Sequence, residues 1–329
     1  MFADRLKPGD EIRVIAPSAS MALLKEDQIN IAVNRLTQLG FRVTFGEHVY
    51  KHDEFYSTSI EERVKDLHNA FSDNSVKCIL SGLGGYNANQ LLDHLDYDLI
   101  RKNPKIFCGF GDMSALSLAI YQKTGLVTYI GPDLSVLGYK HGVEYTIDML
   151  LNALTNDAPY EIYPSSQWSE DHWYKEKDDV SFYEQKEYLV LQAGKAEGVI
   201  VGGNITNLSL LQGTVYRPSL RNAILFIEAD SELYPQTFDR TLQSLLQQPD
   251  AKDLRAVLIG RFQKESNMTE AAIRKIVDTK AELKHVPVIA NVNFGHVHPV
   301  ATIPVGAHAT VVANVDDIEI MIEQTEEIE

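Results

Sequence analysis

Residues 106–117 read Ile-Phe-Cys-Gly-Phe-Gly-Asp-Met-Ser-Ala-Leu-Ser, and this stretch decides the fold. A short apolar run enters a tight turn at 109–111, and a helical pattern of apolar residues begins directly after it. In α/β hydrolytic enzymes, a strand–turn–helix of this kind holds the nucleophile on a strained elbow, and the N–H of the next residue helps to bind the oxyanion. Here the apex of the elbow is Gly111 instead of a serine. The scaffold therefore indicates acyl-transfer chemistry, whereas the attacking atom is absent.

Strand and helix patterns alternate on both sides of this elbow. We expect strands at residues 11–16, 41–45, 76–80, 106–110 and 127–130, and helices at 27–39, 59–72 and 88–95. The second helix begins with a capping box, in which Ser59 is followed three residues later by Glu62. Alternation of this kind predicts an α/β fold whose N-terminal, mostly parallel sheet is flanked by helices.

The character of the chain changes after residue 155. Residues 156–186 are rich in Pro, Ser, Asp, Glu and Lys, and we interpret them as an interdomain linker or loop. Shorter strand patterns then follow at 188–192, 197–201, 224–228, 256–261, 288–292, 309–312 and 318–322, with helices at 234–246 and 270–280. We therefore predict an elbow domain at 1–155 and a second, smaller α/β domain, rich in short strands, at 187–329.

Composition excludes several classes of protein. The 329 residues are 44% hydrophobic and 23% charged, with a net charge of −16, as in an ordinary globular protein with an acidic surface. Nucleic acids and anionic membranes attract basic surfaces, so neither is an expected partner.

The first ten residues carry charges where a signal peptide needs apolar residues, which predicts a cytoplasmic protein. Cys78 and Cys108 lie in apolar runs and are expected to be buried free thiols.

Three further features lie at predicted strand ends, where α/β sheets place their sites. The glycine-rich turn 82–87 can present N–H groups to an oxyanion or serve as a plain tight turn; phosphate binding ranks lower, because the turn lacks a phosphate loop's spacing and lysine. Glu228 ends an apolar run and either caps the structure or orients a base; taken alone, the structural role is favoured. His296 and His298 suggest a base or, less well, a metal ligand, since no ligand-spaced partner accompanies them.

Taken together, these pieces resemble the serine LD-carboxypeptidase family, which includes muramoyltetrapeptide carboxypeptidases and microcin C self-immunity peptidases. The resemblance covers nearly the whole chain, through short motifs at 9–12, 16–18, 84–87, 109–112, 202–204, 225–228, 295–299 and 302–306. It implies a serine-type carboxypeptidase or amidase that needs no cofactor and cleaves an amide next to a free carboxylate. The implied substrate is a murein L,D-tetrapeptide or a microcin C-type peptidyl- or aminoacyl-nucleotide. The oligomeric state stays open, with a homodimer as one option.

The family's elbow reads G-[YF]-S-D, and its Ser, His and Glu form a triad in the cleft between the domains. The resemblance implies these roles: Gly111 at the nucleophile position, His296 as base, Glu228 as its orienting carboxylate, Gly84, Gly85 and Asp112 as oxyanion donors, and Asn87 and Asn204 as substrate contacts. It predicts that His296 and Glu228 lie within about 2.6–3.2 Å, across a cleft that Gly111 faces.

The departure at Gly111 leaves alternatives open. Either the serine has been replaced deliberately to trap a substrate, which the retained base and acid favour, or the protein is a natural relative without a nucleophile. Ser114 lies about one helical turn beyond the apex and is expected to be a structural residue at the start of the helix. A catalytically dead ligand-binding protein is the rival from another class. A nucleotide-binding enzyme is weaker, because the 82–85 turn has no basic residue.

Trp168 and Trp173 lie in the interdomain segment. Packing or anchoring of a loop is the ordinary role of such residues. In the microcin-immunity branch of the family, aromatic residues of this region stack on a nucleobase, and the Trp-Ser-Glu-Asp string at 168–171 is closer to that branch. Both tryptophans are therefore candidate substrate contacts.

Overall fold

The structure is a computed structural model that describes residues 1–171, 181–184 and 187–325. Its strands are β1 (Glu11–Ile15), β2 (Arg42–Phe45), β3 (Val76–Ser81), β4 (Ile106–Gly109), β5 (Thr128–Ile130), β6 (Tyr160–Glu161), β7 (Gln167–Trp168), β8 (Tyr183–Glu184), β9 (Leu189–Gln192), β10 (Gly194–Asn204), β11 (Ala223–Glu228), β12 (Ala256–Gly260), β13 (Val288–Val292), β14 (Ile303–Val305), β15 (His308–Asn314) and β16 (Asp317–Ile322). Its helices are α1 (Glu26–Gln38), α2 (Ile60–Ser72), α3 (Tyr97–Lys102), α4 (Met113–Thr124), α5 (Leu134–Leu137), α6 (Glu144–Thr155), α7 (Ile205–Leu210), α8 (Pro235–Leu246) and α9 (Glu270–Asp278).

The first sheet has six strands in the order β14-β5-β4-β3-β1-β2. Strands β1 to β5 pair in parallel, and β14 runs antiparallel along β5. The central strands β3 and β4 are almost entirely buried because helices cover both faces of a parallel sheet. The predicted α/β class and the mostly parallel N-terminal sheet are confirmed.

The second sheet has eight strands in the order β6-β16-β15-β10-β11-β12-β13-β9. Its centre, β10 to β13, is parallel, whereas the strands on either side pair antiparallel. The predicted second unit of short strands is confirmed, but its sheet is the larger of the two. Strand β6, from the segment interpreted as a linker, pairs with β16 and becomes the eighth strand of this sheet. Strand β14 instead leaves the C-terminal region and pairs with β5 in the first sheet.

Local signals explain most helix boundaries. The Ser59 hydroxyl accepts a hydrogen bond from the N–H of Glu62, so the Ser59 half of the predicted capping box is present. The Glu62 carboxylate accepts from Thr58 Oγ1 and Lys51 Nζ instead. The pattern at 88–95 predicts a helix, but Ala88–His94 forms 3₁₀ turns instead. Asn87 precedes these turns without capping them, because its side chain bonds to other groups.

Helix α4 lies between the two sheets, and its residues 113–120 are all buried. It packs on β5 from the first sheet and on β10 and α7 from the second unit. Two hydrogen bonds fasten its beginning to the second unit: the N–H of Asn204 donates to Ser114 Oγ (3.0 Å), and Asn207 Nδ2 donates to the carbonyl of Gly111 (3.3 Å). The elbow is therefore held by both halves of the chain.

Two expectations from composition can be compared with the structure. Cys78 and Cys108 are buried and free, as predicted. Among the residues described, no helix combines the length and the apolar character needed to cross a lipid bilayer.

The Ser114 contact leads to a stability prediction. Ser114→Ala should lower the free energy of unfolding by about 1–3 kcal/mol, because the buried N–H of Asn204 loses its acceptor. Ser117→Ala is the matched control: Ser117 Oγ lies buried in the same helix without a hydrogen-bond partner among the described residues, so its loss should cost little. Urea unfolding of both variants measures the difference, and equal losses would contradict the structural role of Ser114.

Candidate active site

The elbow is a turn between β4 and α4. Gly111 has φ +59°, in the left-handed region that glycine enters without strain. A Cβ built on Gly111 would lie 3.7 Å from Nε2 of His296, in ordinary van der Waals contact. A serine Cβ at this distance allows a rotamer that brings Oγ within the roughly 2.6–3.2 Å of a nucleophile–base hydrogen bond to Nε2.

The imidazole of His296 is held by a buried carboxylate. Glu228 ends β11 and is 2% exposed, and its Oε2 lies 2.7 Å from Nδ1 of His296. Because a carboxylate only accepts, Nδ1 carries the proton and Nε2 offers its lone pair toward Gly111. Gly295 has φ +112°, and a Cβ there would come within 3.2 Å of Glu228 Cβ, so glycine permits this close approach. The expected contact is present; the catalytic roles stay predictions.

The charges around His296 set its protonation. Burial lowers its pKa, but the negative charges of Glu228, Asp230 and Asp133, together with the Glu228 hydrogen bond, raise it above the ordinary value of 6.5. Asp133 lies beyond the end of β5, and burial raises its pKa to about 6 against the hydrogen bonds that it accepts. The neutral imidazole needed for a general base therefore becomes the main form only as the pH rises above this raised pKa.

Backbone donors stand beside the elbow. A Cβ on Gly84 would lie 3.6 Å from the carbonyl oxygen of Phe110 and 3.9 Å from the nitrogen of Asp112, so this turn and the elbow are adjacent. None of the hydrogen bonds formed among the described residues takes up the N–H of Gly84, Gly85 or Asp112. These N–H groups can therefore serve an oxyanion, as the sequence suggested.

The side chain of Asp112 ties the turn to the elbow. Its carboxylate accepts hydrogen bonds from Ser18 Oγ and from the N–H of Ala88 (2.8 Å). Asn87 belongs to the same support: its Oδ1 accepts from Arg63 Nη1 (2.9 Å), and its Nδ2 donates to Ser57 Oγ (2.8 Å). The proposed contact of Asn87 with substrate stays a prediction, because its amide already has protein partners.

A cleft of about 610 Å³ opens over the elbow, between the two units. Its walls include Gly111, His296, Asp133, Asp230 and Glu232, and no lysine or arginine of the described chain lines it. Asn204 is not on this wall: it is 4% exposed, and its Oδ1 caps α7 by accepting from the N–H groups of residues 206 and 207. Its predicted role in substrate binding is likewise untested.

Trp168 lies in β7, which pairs with β8. Its ring centroid is 4.9 Å from that of Tyr183, and the guanidinium carbon of Arg261 lies 4.9 Å from the ring centroid. Trp168 does not line the cleft, and Trp173 lies outside the described residues. The hairpin formed by β7 and β8 contacts the site through Ser169, whose backbone pairs with that of His298 on the cleft wall.

Within the described chain, no group of three or more His, Cys, Asp and Glu side chains could hold a metal ion.

Asp133 and Asn207 are two residues of this site that the sequence analysis did not predict. Asp133 follows a parallel strand, so the rule that sites lie at strand ends could have found it. Asn207 holds the elbow carbonyl from α7, and nothing in its sequence context indicates that contact.

Comparison with known families matches both halves of the chain. A model of the LD-carboxypeptidase N-terminal domain matches residues 12–131, and a model of the LD-carboxypeptidase C-terminal domain matches residues 197–311. These ranges contain the elbow, Glu228 and His296.

Individual relatives agree over nearly the full length. A solved structure of an MccF-like protein from Bacillus anthracis superposes with a TM-score of 0.96 and 48% identity, covering 98% of this chain and 99% of that one. The microcin C7 self-immunity protein MccF of Escherichia coli is 30% identical over 93% of this chain and 91% of its own length. The murein tetrapeptide carboxypeptidase of Pseudomonas aeruginosa is 26% identical over 87% of both chains. A solved structure of MccF with aspartyl sulfamoyl adenosine superposes with a TM-score of 0.88 at 29% identity, covering 99% of both chains.

The charges near His296 give a prediction for its titration. Asp133→Asn should lower the pKa of His296, because it removes one of the negative charges that favour the imidazolium. NMR titration of the His296 ring protons measures this shift. Asp278→Asn, which removes an exposed charge at the end of α9, is the control and should leave the titration unchanged. An unchanged or higher pKa in Asp133→Asn would contradict the electrostatic account.

Proposed function

Because this chain belongs to the LD-carboxypeptidase family, we propose that its cleft is built for serine-type hydrolysis of an amide next to a free carboxylate. The observation that carries the proposal is the 3.7 Å between His296 Nε2 and the Cβ position of Gly111, combined with the 2.7 Å bond from Nδ1 to Glu228. A base that is oriented by a carboxylate and aimed at an elbow is the arrangement of a catalytic triad.

Each group has a defined part in this mechanism when residue 111 is a serine. His296 Nε2 takes the hydroxyl proton as the oxygen attacks the scissile carbonyl, and Glu228 stabilises the imidazolium that forms. The N–H groups of Asp112 and of the 84–85 turn bind the developing oxyanion. The imidazolium then protonates the leaving amine, and water releases the acyl group by the same steps.

Two substrate classes fit the relatives. One is a murein tetrapeptide cut at its L,D bond, in line with the P. aeruginosa enzyme, and the other is an aminoacyl- or peptidyl-nucleotide, in line with MccF and its sulfamoyl adenosine complex. A catalytically dead receptor for the same ligands is the second candidate, and Gly111 itself favours it, since glycine supplies no nucleophile.

Restoring the nucleophile tests the enzyme proposal. Gly111→Ser should raise turnover of a murein tetrapeptide or an aminoacyl-sulfamoyl adenosine by up to about a million-fold, the usual effect of a triad nucleophile. Gly111→Ala is the matched control, because it fills the Cβ position without adding a hydroxyl. Chromatography of the released amino acid measures both variants. Robust hydrolysis by the Gly111 form that Ser114→Ala abolishes would move the nucleophile to Ser114.

The two tryptophans give a test of substrate class. If one of them stacks on a nucleobase, its replacement by alanine should weaken binding of an aminoacyl-sulfamoyl adenosine about five- to hundredfold and spare a murein peptide, since stacking is worth about 1–3 kcal/mol. Calorimetry of Trp168→Ala and Trp173→Ala in the Gly111 protein measures the effect. Equal binding of the adenosine ligand by the parent and both variants would indicate that the two tryptophans only pack against the protein, and it would favour the murein substrate.

A further inference from the structure

Glycine at position 111 leaves the base of this site, His296, facing the cleft. His296 Nε2 points toward residue 111, where glycine leaves the position of a hydroxymethyl group open to the cleft. The ring itself is fixed, because Glu228 binds Nδ1 and the Phe110 ring packs on it with centroids 4.8 Å apart. A fixed base that faces an open cleft can bind a water where a serine oxygen would otherwise stand.

We propose that the Gly111 protein hydrolyses its amide substrate directly, with a water molecule activated by His296 as the nucleophile. The inference rests on the proposed function for the identity of the substrate. It goes beyond that function because it assigns activity to the chain as its sequence stands, through a route without an acyl-enzyme.

The step balances with water as the only co-substrate. A water O–H donates to Nε2, its proton passes to His296 as the new C–O bond forms, and the carbonyl electron pair moves to the oxygen bound by Asp112 and the 84–85 turn. When this intermediate collapses, the C–N bond breaks, and the proton on His296 passes to the departing amine. The products are a carboxylic acid and an amine, and the protein returns to its starting state.

The hydroxyl of Ser114 cannot replace this water as the nucleophile. Ser114 is fully buried in α4, and its Oγ accepts the N–H of Asn204 from the second unit. It therefore faces the interface between the units, and the water route needs no rearrangement of α4.

The deciding experiment removes the base from a protein that already lacks the nucleophile. When a triad acts only through its serine, loss of a second member after the serine costs almost nothing. A general base acting on water contributes about 10²–10⁴-fold. His296→Gln in the Gly111 protein should therefore lower the residual hydrolysis at least about a hundredfold. Glu228→Gln should also lower it, because the neutral amide lacks the negative charge that stabilises the imidazolium formed during the reaction. His285→Gln, an exposed histidine that does not line the cleft, is the matched control.

Two further measurements separate the possible outcomes. Calorimetric binding of an aminoacyl-sulfamoyl adenosine checks that each variant keeps a folded site. Intact-mass analysis after rapid quenching should find an acyl-enzyme in Gly111→Ser but none in the Gly111 protein. Residual turnover that His296→Gln leaves unchanged, or an acyl adduct on the Gly111 protein, would overturn the water route while Gly111→Ser still upholds the proposed function. Absence of turnover in Gly111→Ser as well would overturn both.

Discussion

The attachment of α4 to the second unit is the contact on which the site depends. The elbow belongs to the first sheet, whereas Glu228 ends a strand of the second sheet and His296 follows another, so the site exists only where the two units meet. Bonds from Asn204 and Asn207 hold the start of α4 at this junction. A displacement of about 1 Å between reacting groups can cost a hundredfold in rate. The burial of residues 113–120 at the start of α4 therefore serves the chemistry as well as the packing.

The charged side chains on the described wall of the cleft are acidic, so an anionic intermediate there would depend on backbone donors. Asp133, Asp230 and Glu232 line a wall on which no described lysine or arginine appears. The positive end of the α4 dipole and the N–H groups of the elbow and the 84–85 turn are the donors that an anionic intermediate would meet there. The carboxylates in turn favour the imidazolium of His296, the form that protonates a leaving amine.

The sequence predicted those parts of the molecule that local chemistry determines. The elbow, the Ser59 cap and the strand that ends in Glu228 all have signals within a few residues. Family motifs supplied the pairing of Glu228 with His296, which lie 68 residues apart and which no local pattern connects.

What the sequence did not predict depends on distant partners. Strand β14 has only three residues, one of them a proline, so its own sequence does not indicate a strand. It is a strand because it pairs antiparallel with the edge of β5. The turns at 88–94 follow Asn87, whose amide is taken by Ser57 and Arg63 from other segments. Trp168 packs against Tyr183 and Arg261, which lie far from it in the sequence, so the residues next to Trp168 in the chain do not predict these contacts.

The exchange of strands between the sheets has a consequence for how the protein is made. When the first half of the chain leaves the ribosome, β5 has β4 on one side, but its other edge stays open until residues 303–305 have been synthesised. An open edge of this kind is where nascent chains pair with one another and aggregate. β14 closes it, and Pro304, which has no N–H to donate, makes the new border a poor template for a further strand. A chain that ends before β14 would lack this closure, so the last tenth of the sequence protects the first sheet from self-association.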